Sequence, residues 1–223
     1  MNAALMMLVD GRFPAGGHTN SAGVEAAVRL GDISDDITLE RYLLGRLATS
    51  GRVEAAVAAH VAGLVRPTPD ALATIDAELS ARIASRALRA ASRRFGRQLL
   101  RSGSMIWSSP TLDAISSGDT DAHQPVVLGA VVAATGGTPT DAAAVAFHHL
   151  SAAVTTAGVR LLGLDPMTVA RVQARVGERV DVWIADAASW AASPVAALPA
   201  AGGSLTDILG EDHAGWDARL FVA

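Results

Sequence analysis

The chain has 223 residues, half of them apolar and 18% charged, with 18 basic against 22 acidic residues and a formal net charge of −4. That length suits one domain or a compact pair, and a charged share below the usual ~25% points to extensive burial or to a surface that waits for a partner. With no cysteine there is no disulfide framework, zinc–thiolate site or cysteine nucleophile, and with arginine as the only basic residue there is no Walker A lysine and no Schiff-base chemistry.

Aromatic residues are scarce and strand-like alternation is rare, whereas Ala-rich segments with apolar spacings of three and four recur throughout. The expected fold class is all-α, a compact helical bundle of about seven to ten helices. A first helix covers Ala3 to Val9. The stretch Leu8 to Glu25 then places Pro14, Gly16 and Gly17 between two apolar segments, a tight turn before Thr19, Asn20 or Ser21 caps a second helix over Ser21 to Leu30. Asp35 and Asp36 are candidate caps for a long third helix with a stripe running from Leu39 to Leu64 and a possible kink at Gly51. Thr68-Pro69 starts a helix through Leu72, Ile75, Leu79 and Ile83, and further helix continues to about Ser102. Ser102 to Gln124 reads as connector with one helical turn near Leu112. Three core helices follow over Pro125 to Thr135, Pro139 to Leu162 and Pro166 to Ala192, the last two started by the cap-then-Pro pairs Thr138-Pro139 and Asp165-Pro166. Residues 1–193 are expected to form the domain, and 194–223 a flexible Ala/Pro/Gly linker followed by a partner-docking tail anchored by Leu220 and Phe221.

No apolar run reaches the ~20 residues that cross a bilayer, and Asp10 and Arg12 interrupt the first one, so a cytoplasmic protein without membrane contact is expected. Seven arginines between Leu79 and Leu112 (Arg82, Arg86, Arg89, Arg93, Arg94, Arg97, Arg101) have no acid among them. Five recur every three or four residues and, on a continuous helix, share one face. Such segregation either docks an acidic surface or pairs with acids elsewhere in the fold; the acidic remainder and the lack of interleaved aromatics argue against nucleic acid. His148 and His149 are adjacent and point ~100° apart on a helix, so they cannot share a metal ion, and Glu211, Asp212 and His213 read as solvated polar residues. No metal or cofactor site is expected.

The order Leu8-x-Asp10-x-x-x-Pro14-x-Gly16-Gly17-x-x-x-Ser21-x-Gly23-x-Glu25 resembles the amino-terminal signature of the UreF family of urease accessory proteins, with His18, Thr19 and Asn20 standing where that family commonly has Phe, Ser and His. Ala91 to Arg101, through Ser92, Gly96 and Arg97, is similar to the family's Ser-x-x-x-Gly-Arg-x-Leu-Leu-Arg segment. His123 to Ala133 resembles its His-x-Pro-Val helix, Ser151 to Leu162 its Val-Arg-Leu-Leu helix, and Asp217 to Ala223 its Arg-Leu-Phe ending. The resemblance implies a non-enzymatic maturation factor: a homodimer that bridges UreD (or UreH) and the GTPase UreG, with interior passages proposed for nickel on its way to the urease apoprotein. It places partner contacts at Pro14, Gly16, Gly17, His18, Ser21 and Glu25, at Ser92, Gly96 and Arg97, and at Arg219, Leu220 and Phe221.

Two other readings come from the residues themselves. One is a helical adaptor for an unrelated acidic protein. The other is an α-helical hydrolase or lyase with His123, His148 or His149 as general base, for which no orienting carboxylate is visible in the sequence.

Overall fold

Start signals place most of the helices. In the computed structural model, which describes residues 2–222, Asn2 accepts from the Leu5 N–H at 3.0 Å and opens α1 (Ala3–Val9). Asp35 and Thr38 cap α3 (Asp36–Arg46) reciprocally, and Thr138 and Asp141 do the same for α9 (Pro139–Leu162). Thr68 caps α5 (Pro69–Arg82), and Asp165 caps α10 (Pro166–Ser189). The remaining helices are α2 (Val24–Arg29), α4 (Arg52–Ala62), α6 (Arg86–Ile106), α7 (Pro110–Ser116), α8 (Gln124–Ala134) and α11 (Ser204–Ala214). The described residues contain no strand, so the fold is all-α as expected.

α4 and α9 form the centre, flanked by α8 and α10. Small residues make this possible. Ala55, Ala56, Ala58 and Ala59 of α4 and Ala142, Ala143 and Ala157 of α9 are fully buried. A Cβ on Gly129 of α8 would lie 2.3 Å from the Ala58 carbonyl oxygen, so backbone meets backbone at that crossing. α9 is long and apolar enough to cross a membrane by length and composition, contrary to the expectation that no segment is, and half of its most apolar stretch is covered by its neighbours in the bundle.

Several boundaries differ from those read in the sequence. The predicted second helix begins three residues late, at Val24, because Ser21 to Gly23 form a turn with Ala22 at φ +52° and Gly23 at φ +87°. The long third helix is divided between α3 and α4 by a π turn over Leu47–Gly51; Gly51 itself is helical, and the departure falls on Thr49 (φ −110°, ψ −105°). The arginine-bearing stretch is not one helix. It breaks between α5 and α6, where Ser85 caps α6 and is itself held by α11: the Ser85 N–H donates to Asp207 (3.0 Å) and its hydroxyl to Glu211 (2.6 Å). The helical turn expected near Leu112 is α7, seven residues long, and α6 runs on to Ile106 into the expected connector. Arg82 lies against residues 194–203, donating to the carbonyls of Ala196, Leu198 and Pro199, with Leu198 buried.

Candidate functional site

The amino-terminal turn and the carboxy-terminal tail meet on one carboxylate. Glu25 Oε1 accepts from the Leu220 N–H at 2.7 Å, and Oε2 accepts from the Phe221 N–H at 3.0 Å and lies 2.8 Å from His213 Nε2. Burial opposes ionisation of Glu25, yet the Leu220 amide, His213 and the Phe221 amide outweigh it and hold the carboxyl below its usual range. Phe221 is buried beneath Arg160, whose guanidinium carbon stands 4.7 Å from the ring centroid and whose Nη1 donates to the His18 carbonyl. The Val222 N–H donates to the Thr19 carbonyl at 2.8 Å; Ala223 lies outside the described residues. Trp216 packs at a tilt of 55° against His213 and lies under Arg29. His213 is thus buried in this joint rather than solvated, and Glu211 caps α6.

Within the turn, the Pro14 carbonyl accepts from the Ser102 hydroxyl, and Gly16 (φ +76°) packs against the Gln98 side chain so closely that a Cβ would overlap it. Gly17 opens a short 3₁₀ turn with ordinary φ. Gly23 takes the N-cap position of α2 and Asn20 accepts from the Ala22 N–H, while the fully buried Ser21 supplies the expected side-chain oxygen from further back, accepting from the first-turn Glu25 N–H at 3.5 Å. The His18 side chain is exposed, as are Arg219 and Leu220. Arg94 and Arg219 line a groove between α6 and the tail, with Asp217 beside them.

Ser92, Gly96 and Arg97 face a different neighbour, the chain entering α8. The Ser92 hydroxyl accepts from the Gln124 N–H at 3.3 Å, a Cβ on Gly96 would lie 2.0 Å from the Ala122 carbonyl oxygen, and Arg97 pairs with Asp121. Next to them lies a buried network that the sequence did not reveal. Asp76 pairs with Arg93 at 2.7 Å and accepts from the His123 N–H, while the Ser80 hydroxyl accepts from Arg93 and lies 2.8 Å from His123 Nε2. His123 has no exposed surface, and burial pushes its pKa down to about 4 against the attraction of Asp76. The basic face is largely satisfied internally. Arg82 pairs with Glu78, Arg89 donates to the carbonyls of Ile83 and Ala84, and Arg93 and Arg97 hold their acids.

A cavity of about 280 Å³ lies between α1, α4, α6, α8 and α9, with mostly apolar walls including Phe95, Leu128 and Leu150. His149, Arg46, Ser50 and Glu54 reach its wall. The His148 and His149 rings lie 6.1 Å apart rather than on well-separated faces, their Nε2 atoms 3.2 and 3.1 Å from the adjacent carbonyls of Val9 and Leu8; burial pushes His149 down to about 4. Among the described residues no three His, Asp or Glu side chains are grouped to hold a metal ion. Glu25 carried a sequence signal, its place at the end of the turn motif; Asp76 and Glu54 sit in helical runs with nothing to distinguish them.

A family model described as UreF matches residues 33–177. The chain is similar to proteins named urease accessory protein UreF. It is 36% identical to that of Mycobacterium sp. (strain JLS) over 98% of this chain and 97% of the relative, and 35% identical to that of Mycolicibacterium vanbaalenii over 99% and 98%. Against the relative from Mycobacterium tuberculosis (strain H37Rv) it is 34% identical over 79% of this chain and 80% of the relative.

Proposed function

Because this chain belongs to the UreF family of urease accessory proteins, we propose that it is a non-enzymatic scaffold that bridges UreD/UreH and the GTPase UreG during nickel delivery to the urease apoprotein. The observation that carries the reading is similarity along almost the entire chain to proteins that bear one accessory-protein name. In this reading the protein works as a homodimer in the cytoplasm and nickel is its cargo. The joint formed by the turn and the tail supports a docking role, since Glu25 fixes both segments and leaves His18, Arg219 and Leu220 facing outward. A His-dependent hydrolase draws no support from His123, which is fully buried beside a serine already engaged by Arg93.

The test is co-expression of the tagged chain with UreD/UreH, UreG and the urease subunits of the same organism, with a urease assay in cells lacking the chain. Retention of UreD/UreH, together with a loss of urease activity that added nickel restores, is the expected result. If nothing is retained and urease activity is unchanged, the scaffold reading is wrong.

A further inference from the structure

The π turn over Leu47–Gly51 changes which residues share a face. In a straight α-helix each residue turns by about 100°, so two residues eight apart overshoot two turns by about 80°. One extra residue taken up by a π turn reduces that offset to about 20°. Arg46, Ser50 and Glu54 therefore come onto one side of the continuous α3–α4 helix, and all three reach the cavity. Thr49 carries the cost, with backbone angles outside the helical region.

Arg46 is only 9% exposed. Its Nη1 donates to the Ser50 hydroxyl, but its buried Nε has no hydrogen-bond partner and it forms no ion pair with any described residue. Other charged groups on the cavity wall are engaged: Arg82 by Glu78 and three carbonyls, Asp10 by Arg12, Asp207 by the Ser85 N–H. Glu54 is close enough to feel Arg46 but makes no hydrogen bond, and burial raises its pKa against the attraction of Arg46. A largely buried guanidinium without an ion pair, at the wall of a cavity with apolar lining, is suited to a planar oxyanion bearing a small hydrocarbon group.

We propose that the cavity is a binding site for a small monocarboxylate, held by the Arg46 guanidinium while Ser50 fixes its Nη1 and Glu54 competes for the same cation. This site is independent of the scaffold reading, because it needs neither a partner protein nor nickel.

The experiment uses the full-length chain and sodium acetate as probe, at an ionic strength held constant with chloride, read by titration calorimetry and by the thermal midpoint. Acetate is expected to bind saturably and raise the midpoint. Arg46→Met abolishes both effects, and Arg101→Met, on the exposed face of α6, leaves them unchanged. Glu54→Gln, which removes the competing charge, tightens acetate binding about tenfold. The proposal is overturned if acetate acts no differently from chloride or if Arg46→Met retains saturable binding. Should Arg46→Met fail to fold, Glu54→Gln decides: tighter binding supports the site, and unchanged or weaker binding overturns it.

Discussion

Replacing Glu25 with Ala tests whether one carboxylate holds the tail on the bundle. The substitution removes the acceptor of the Leu220 and Phe221 amides and the partner of His213, three contacts of 2.7, 3.0 and 2.8 Å. Each partly buried donor left without its acceptor costs about 1 kcal/mol, the low end of the range because water reaches an opened tail, so the three together amount to about 3 kcal/mol. At about 1.4 kcal/mol per decade, the tail-opening constant rises about a hundredfold. The buried Phe221 ring under Arg160 opposes release, so the tail opens more often rather than detaching for good. Amide hydrogen exchange at Leu220 and Phe221 is the assay, with amides of α4 and α9 as internal controls that should not change. The native carboxyl also makes opening acid-dependent: a folded pKa below the unfolded one contributes stability above the ordinary carboxylate range and loses it as pH falls through the folded value. Unaltered exchange at both tail amides in Glu25→Ala refutes the clamp.

Three further outcomes are expected. His123 and His149 both titrate near 4 when folded and near 6.5 when unfolded, so the unfolded chain binds more protons between those values and stability falls as pH drops through that window. The slope is about 1.4 kcal/mol per pH unit for each histidine, and His149→Gln should remove one share of it in urea titrations at pH 7 and pH 5. Gly96→Ala forces a methyl group against the Ala122 carbonyl and should cost about 2–3 kcal/mol, read as a lower denaturation midpoint with an unchanged slope. Asp76→Asn strands Arg93 in a largely buried network and should cost about 3 kcal/mol, whereas Arg97→Met, at an exposed ion pair, should cost less than about 0.5 kcal/mol; equal losses would show that burial does not set the difference.

The helices with a cap followed by proline were legible because both signals lie within four residues of each other. Thr68-Pro69, Thr138-Pro139 and Asp165-Pro166 all start helices where they were read. The break at Ile83 to Ser85 was not legible, since those residues contain no Gly or Pro and Ser85 is held there by Asp207 and Glu211, more than 120 positions away. The arginine spacing implied one basic face only on a continuous helix, and the helix breaks between Arg82 and Arg86; what the arginines meet depends on groups that only the fold brings near. Asp76, Asp121 and the carbonyls of 196–199 decide it. Helical periodicity also could not anticipate the π turn, because Leu47-Ala-Thr-Ser-Gly51 fits an ordinary helix and nothing in it marks the extra residue.

The motif through Ser92, Gly96 and Arg97 raises a more general point about family-like patterns. Each of the three has an internal reason for its identity: a hydroxyl to accept from Gln124, no Cβ to let Ala122 approach, and a cation for Asp121. A pattern that the fold already requires says little about a partner surface, since any relative that keeps this crossing must keep those residues. The same holds for Gly16, which packs against Gln98, for the buried Ser21, which accepts from the Glu25 N–H, and for Glu25, which holds the tail. Residues without such internal tasks are the better guide to docking. His18, Arg94, Arg219 and Leu220 fit that description through exposed side chains, and they lie around the turn, the tail and the groove beside α6. The joint is therefore best understood as two layers, an inner one that orders the tail and an outer one that the ordered tail presents.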